Sequence, residues 1–218
     1  MPTDVVAFTV LHLLIFAYWL GGDAGVFYSS LVVTDGKRSP EARITAAKIL
    51  LNVDMVPRIC LLLALPTGLA LAASKGWVAL TPIWIVLAFV AAAAWITLIF
   101  KLHSAHGAKL LTGIDTIGRI ALLAGLAGAG VLGLMNTFSW PTFLSVKLLI
   151  LAGAVAMGLL VRLLLRPFGP AFAAMVANGP TPETDAVIKG AIARSRGPVV
   201  AIWILLIAAA TFGVATPV

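Results

Sequence analysis

Six long apolar stretches, separated by short polar breaks, dominate the pattern along the chain. A bilayer core about 30 Å thick requires about 20 apolar residues in each helical span. Every stretch is of about that length and ends where glycine, proline or charge accumulates. The predicted spans are 5–31, 55–73, 80–102, 114–135, 143–165 and 197–215. The pattern therefore predicts an all-α fold, a polytopic membrane helical bundle forming a single transmembrane domain over 1–218.

Composition excludes an ordinary soluble domain, because 61% of the residues are hydrophobic and only 11% are charged, against about 25% charged in soluble domains. The first apolar stretch lacks the basic segment that opens a signal peptide, so we expect a retained helix. One cysteine, Cys60, excludes an internal disulfide and a CxxC metal or redox pair.

Two polar segments break the series of spans. The linker 35–53 contains Ser39-Pro40-Glu41 followed by apolar positions that alternate with Arg43 and Lys48, which predicts an amphipathic helix with proline in its first turn. The segment Thr181–Arg196, before the last span, has a similar pattern. The predicted organisation is a first helix (1–34), the linker (35–53), repeat A (54–111), repeat B (112–168), a second linker (169–196) and a last helix (197–218).

Lysine and arginine are concentrated in alternate connections, and this bias predicts topology. Ten of these residues lie in three connections: Lys37, Arg38, Arg43, Lys48, Lys101, Lys109, Arg166, Lys189, Arg194 and Arg196. The positive-inside rule then predicts a multi-pass protein of a bacterial-type inner membrane, with both termini outside and both linkers cytoplasmic. The net charge of +7 follows from topology, so nucleic acid is not expected as a partner.

An internal repeat joins the central spans. Asp54-Met-Val-Pro-Arg58-Ile-Cys-Leu-Leu, leading to Trp77, corresponds to Asp115-Thr-Ile-Gly-Arg119-Ile-Ala-Leu-Leu, leading to Trp140. Both copies begin on the same side of the membrane. This indicates a parallel duplication of a helix pair, in contrast to the inverted repeats of many secondary transporters.

Ionisable residues within spans cost free energy and call for an explanation. His12 and Lys147 are expected at similar depth near the outer side, with Met135 and Trp140 close by. A neutral imidazole is a good ligand for heme iron or copper, and Lys147 has three candidate roles: second ligand, partner of a propionate or proton donor. The structural alternatives are a helix-to-helix hydrogen bond for His12 and snorkelling of Lys147 to the headgroups.

The cytoplasmic side carries a second set of polar residues. His103 and His106 have chelate spacing but lie beside lysines, which favours a solvated loop over a metal site. Asp54 and Arg58, like Asp115 and Arg119, are spaced to pair on one helix face, and Asp23 and Arg162 are expected at the same level. Mutual neutralisation is the simplest interpretation; a site for propionates, quinone headgroups or protons is the functional one.

The first span resembles the opening helix of CopD-like and HemJ-like membrane proteins at Leu11-His12, Trp19 and Gly21-Gly22. Val146-Lys147-Leu148-Leu149 is similar to a stretch of the HemJ-type protoporphyrinogen oxidases. This resemblance implies a heme-related role for His12 and Lys147. The chain departs from the HemJ pattern in having more spans, Asp23 and the duplicated Asp-x-x-x-Arg motif.

The resemblance leads to a heme b-binding membrane protein as the first hypothesis, with an oxidoreductase activity on a porphyrin-like or quinone-like substrate. His12 is the predicted axial ligand and Lys147 the catalytic or second-ligand residue. The predicted cofactor-binding residues are His12, Trp19, Arg58, Arg119, Met135 and Lys147. The alternatives are a copper-handling CopD-like transport or resistance protein, with His12 as metal ligand, and a cofactor-free assembly subunit. Expected partners are the lipid bilayer and a quinone or respiratory component; the sequence leaves a homo-oligomer open.

Overall fold

A computed structural model describes residues 2–104 and 109–215 and, within them, eight helices and no strand. The helices are α1 (Thr3–Val33), α2 (Pro40–Val53), α3 (Met55–Ser74), α4 (Pro82–Ser104), α5 (Lys109–Leu134), α6 (Thr142–Leu164), α7 (Phe168–Asn178) and α8 (Pro182–Ala215). Among the described residues, six helical stretches are long and apolar enough to cross a membrane. The predicted all-α polytopic bundle is therefore confirmed.

The long helices pack in a simple pattern. α1 lies along α3, α5 along α6, and α6 along α8, whereas α4 touches mainly α3. The central core contains Trp19 of α1, Cys60 of α3, Leu126 of α5, Val155 of α6 and Ile202 of α8. These apolar side chains hold five of the spans around one core, with α4 at its edge.

The first helix of each predicted repeat, α3 and α5, ends in the same type of helix cap. Gly76, after α3, and Asn136, after α5, have positive φ values of 71° and 57°. In each case the next residue donates its backbone N–H to a carbonyl five residues earlier, Trp77 to Ala72 and Thr137 to Leu132. This Schellman-type bonding satisfies carbonyls that the helix end leaves free and turns the chain before the tryptophan of each repeat.

The helix predicted after Ser39 is present as α2. The Ser39 hydroxyl accepts a hydrogen bond from the backbone N–H of Ala42 at 3.3 Å, and Pro40 is the first helical residue. Arg43, which the sequence pattern assigns to the polar face, is instead buried. Its Nε donates to the carbonyl of Val33 at 2.9 Å, and its Nη2 lies 2.8 Å from Asp185 Oδ1. The guanidinium thus ties α1, α2 and α8 together.

The second linker differs from the sequence interpretation in two respects. α7 occupies its first part, and its Met175 packs with Val33, Ala47 and Ile188 in a small core between α1, α2 and α8. The segment before the last span is not a separate helix, because α8 runs without interruption through Pro198. Pro198 removes a single N–H donor, and packing against α6 keeps the helix continuous.

Candidate functional site

His12 lies on α1 and faces α3. Its Nδ1 is 2.9 Å from the hydroxyl oxygen of Thr67. The imidazole is half-buried, whereas the Thr67 side chain is fully buried, with 1% exposed. The helix-to-helix hydrogen bond that was the structural alternative for His12 is therefore present, and it engages one of the two ring nitrogens.

The hydrogen bonds of Thr67 favour one tautomer of the His12 ring. Its hydroxyl lies 2.7 Å from the carbonyl oxygen of Leu63, one turn earlier on α3. A hydroxyl has one proton, and donation to this carbonyl leaves only acceptor capacity toward His12. Nδ1–H of His12 then donates to Thr67, and Nε2 keeps its lone pair. Such fixing of one ring nitrogen by a hydrogen bond is the arrangement found for histidines that bind metals.

Gly68, the next residue on α3, makes room for the ring. A Cβ at this position would lie 3.3 Å from Cε1 of His12, a tight contact for the carbon between the two ring nitrogens. The absence of a side chain at Gly68 therefore lets α1 and α3 approach with the imidazole between them.

Lys147 begins on α6 and reaches toward α8. A Cβ added to Gly213 of α8 would be only 2.7 Å from Nζ of Lys147, so the ammonium lies against the backbone of α8. It acts electrostatically on His12, and Lys75 in turn acts on Lys147. The structure thus brings His12 and Lys147 to the same end of the bundle and adds a second lysine that sequence reasoning missed.

Aromatic side chains lie beside Lys75 and along the connections at this end. Nζ of Lys75 lies 4.6 Å from the ring centroid of Trp77, a cation–π contact, and Trp77 packs edge-on against Phe143 at 4.9 Å. Trp140 donates from Nε1 to the buried hydroxyl of Ser145 at 2.8 Å. These contacts anchor the connections beside α6, and we call the region of His12, Thr67, Lys75 and Lys147 the His12 site.

Four of the six predicted cofactor-binding residues lie outside the His12 site, and Trp19 and Met135 are two of them. Trp19 is 5% exposed and packs in the central core, two turns along α1 from His12. Met135 follows α5 with 70% of its surface exposed, which points this side chain away from the interior. Trp19 therefore supports the helices next to the His12 site, and nothing in the geometry connects Met135 to it.

The opposite end of the bundle contains a buried ionic network centred on Asp115. Arg119 Nε lies 3.1 Å and Arg162 Nη1 2.5 Å from Asp115 Oδ2, while Trp95 Nε1 donates to Oδ1 at 2.8 Å. The network links α4, α5 and α6. One carboxylate thus serves two guanidinium groups. Arg119 is 94% buried, and its Nη2 has no hydrogen-bond partner within residues 2–104 and 109–215.

The matching pair of repeat A is more open. Arg58 forms an ion pair with Asp54, and their side chains are 38% and 26% exposed. Both line a cavity of about 430 Å³ with His103, and Arg58 acts electrostatically on Arg119. Arg58 lies nine residues from Thr67 along α3, or about 14 Å at 1.5 Å per residue. Arg58 and Arg119 thus form a cluster separate from the His12 site, which we call the basic end.

The described residues do not form a cluster of side chains that could chelate a metal ion. Within residues 2–104 and 109–215, no three histidine, cysteine or acidic side chains lie together in a way that could hold a metal ion. His103 is exposed, and its predicted chelate partner His106 lies outside the described residues. A metal bound through His12 would therefore take its remaining ligands from a source other than such a cluster.

The sequence signals for the newly found residues are weak. Thr67 contacts His12 and Trp95 contacts Asp115 across pairs of helices, and no local pattern in the sequence marks such contacts. Comparison of the chain with family models, curated proteins and solved structures finds no match.

Proposed function

We propose that the protein is an integral membrane protein that binds heme b through Nε2 of His12. The hydrogen-bond chain from His12 Nδ1 through the Thr67 hydroxyl to the Leu63 carbonyl carries this proposal. It leaves Nε2 neutral and able to coordinate iron. A porphyrin already supplies four nitrogen ligands, so one protein imidazole is sufficient, which suits a site with a single histidine.

The lysines of the His12 site fit the other chemical need of the cofactor. Heme b carries two propionates, and Lys75 and Lys147 place two ammonium groups within electrostatic range of each other. A carboxylate bound near them would relieve the repulsion between these like charges and gain charge-assisted hydrogen bonds. Of the three roles open to Lys147, propionate binding therefore has the best support.

An oxidoreductase activity is the further part of the proposal. Bound heme would supply one-electron chemistry, and the half-buried imidazole and aromatic surroundings would limit access of water to it. The substrate would be porphyrin-like or quinone-like, delivered from the bilayer, with a respiratory-chain component as electron partner. In the orientation proposed for an inner membrane, the His12 site lies toward the outer leaflet.

The absorption spectrum of the purified protein tests heme binding directly. Protein isolated in detergent from heme-replete cells should show a Soret band and give a heme b spectrum after reduction. His12→Gly should lose the bound heme, and added imidazole should restore the band by occupying the vacated ligand position. His103→Ala is the matched control and should retain the wild-type heme content.

Other outcomes identify the alternatives. If the wild-type protein is colourless and carries about one equivalent of copper, the heme hypothesis is wrong and the copper-handling hypothesis is supported. A colourless, metal-free protein in which His12→Gly lowers only thermal stability would favour the cofactor-free assembly subunit, with His12 joining α1 to α3.

A further inference from the structure

A half-open cavity lies at the basic end between α2, α3 and α4. Its volume is about 430 Å³, and it is lined by the polar residues Lys48, Asn52, Asp54, Arg58 and His103 and by Leu51 and Leu102. Asp54 is ion-paired with Arg58, so Lys48 is the cation of the lining that this carboxylate leaves over. Lysine, arginine, asparagine and histidine side chains supply hydrogen-bond donors on one part of the wall. The two leucines supply an apolar part. The cavity thus combines a polar, cationic region with an apolar one.

Positive charge predominates around this cavity. Three cationic side chains, Arg58, Arg119 and Arg162, are linked electrostatically to three carboxylates, Asp23, Asp54 and Asp115. Lys48 lines the cavity as a further cation. Arg119 Nη2, beside the cavity lining, is buried and has no hydrogen-bond partner among the described residues. In a medium of low dielectric an excess of positive charge is costly, so the cavity favours an additional anion.

The position of the cavity indicates what kind of anion would enter. The cavity lies where α3 begins and α4 ends, and both helices are candidate membrane spans. α2 carries the exposed apolar side chains Ile49 and Leu51. An amphipathic helix with an apolar outer face lies in the interface between headgroups and acyl chains. The cationic lining is therefore expected at headgroup depth, beside leucines that can contact an acyl chain.

We propose that this cavity binds the phosphodiester of an anionic phospholipid, with Lys48 and Arg58 contacting the phosphate and Leu51 and Leu102 the start of an acyl chain. Basic pockets between helices at the cytoplasmic side of a membrane are a common form of lipid-headgroup site. The site is independent of the His12 site and of heme.

Binding is tested with the delipidated full-length protein in a neutral detergent. Phosphatidylglycerol, phosphatidylcholine and soluble glycerol phosphate are titrated separately, and bound lipid is measured by native mass spectrometry. We expect retained phosphatidylglycerol adducts and an increase in thermal stability with this lipid only. Equal retention of phosphatidylcholine, or equally tight binding of soluble glycerol phosphate, would contradict the proposal.

Lys48→Gln isolates the contribution of the cavity. Removal of one lysine near the phosphate should weaken phosphatidylglycerol binding about fivefold. Lys189→Gln removes an exposed lysine of α8 that is outside the cavity lining and should leave the affinity unchanged. Arg58→Lys, which keeps the charge and the Asp54 partner, should retain more affinity than Arg58→Gln. An equal loss of phosphatidylglycerol affinity in Lys48→Gln and Lys189→Gln would show that general surface charge, and not the cavity, binds the lipid.

Discussion

At the scale of single residues, the hydroxyl of Thr67 decides whether His12 can act as a ligand. An imidazole has two nitrogens, and the one that is protonated cannot bind iron. Because the Thr67 proton is directed at the Leu63 carbonyl, the hydroxyl accepts from Nδ1 and leaves Nε2 free. Loss of this acceptor would leave the ring free to rotate and to exchange tautomers.

Thr67→Val tests this control, because valine keeps the shape of threonine and removes the hydroxyl. We expect heme affinity to fall by about 10- to 100-fold, the usual effect of removing an outer hydrogen-bond partner of a ligating histidine. Thr67→Ser keeps the hydroxyl and should stay close to wild type. Heme titration of the apoprotein, followed by the Soret band, measures both; similar affinities for the two variants would show that Thr67 does not orient His12.

The Asp-x-x-x-Arg motif provides a second residue-scale test, because the same pair occurs in two environments. Asp115→Asn leaves Arg119 and Arg162 without their shared carboxylate in a site where Asp115 is 1% exposed. We expect a loss of about 3–5 kcal/mol in the free energy of unfolding. Asp54→Asn breaks a pair near the surface and should cost less than about 1 kcal/mol.

Unfolding of both variants by denaturant in mixed micelles, monitored by tryptophan fluorescence, gives this comparison. Equal destabilisation by Asp54→Asn and Asp115→Asn would mean that burial does not distinguish the two copies of the motif. The sequence predicted both pairings correctly, but it could not predict the difference in burial, since the contact with Trp95 arises only when α4 packs against α5.

At the scale of whole helices, the boundaries of the spans follow the apolar pattern closely because lipid demands continuous apolar segments. The sequence predicts helix boundaries less well where packing between helices determines them. The last helix was predicted to begin at residue 197, yet α8 begins at Pro182 and continues through Pro198. The short α7 was not predicted. α7 has no charged residues that would mark a polar face in the sequence. Its buried side becomes apparent only from its packing against α2 and α8.

The glycines of α5 separate into two classes by their neighbours. A Cβ at Gly130 would lie 2.6 Å from Leu149 Cγ, and one at Gly133 would collide with Ser145 and Trp140 on the α6 side. Gly125 and Gly128 have nothing within 4 Å. The sequence alone does not separate these four glycines, whereas in the structure only one face of α5 requires close approach to α6.

Alanine substitution should therefore have opposite consequences on the two faces. Gly133→Ala overpacks the α5–α6 contact and should lower the free energy of unfolding by about 1–3 kcal/mol. Gly128→Ala adds a methyl group to open space and should be neutral or slightly stabilising, since alanine has the higher helix propensity. Thermal unfolding in one detergent compares the pair, and a destabilised Gly128→Ala would reveal a partner on that face.

At the scale of the whole molecule, each predicted repeat extends from the basic end toward the opposite end of the bundle. Each repeat begins with an Asp–Arg pair at the basic end and continues to a tryptophan at the other. α1 then packs along the first helix of repeat A, and α8 along the second helix of repeat B. His12 enters with α1, outside the repeats, so the proposed heme site has no duplicate.

The same arrangement makes the proposed orientation testable. The positive-inside bias predicts that the connection after α1 faces the cytoplasm and the connection after α5 faces outward. Cys60 is the only cysteine of the chain and is 6% exposed, so a Cys60→Ala background permits single cysteines to be introduced. Lys37 and Ser139 are exposed positions in the two connections.

Intact cells are treated with a membrane-impermeant maleimide before and after permeabilisation. Ser139→Cys should react in intact cells, because its connection faces outward, whereas Lys37→Cys should react only after permeabilisation. Labelling of both in denaturant shows that each thiol is reactive. The reverse labelling pattern would show that the protein has the opposite orientation in the membrane. It would also move the cationic cavity to the outer leaflet and the His12 site to the cytoplasmic leaflet, from which an electron partner would then have to approach.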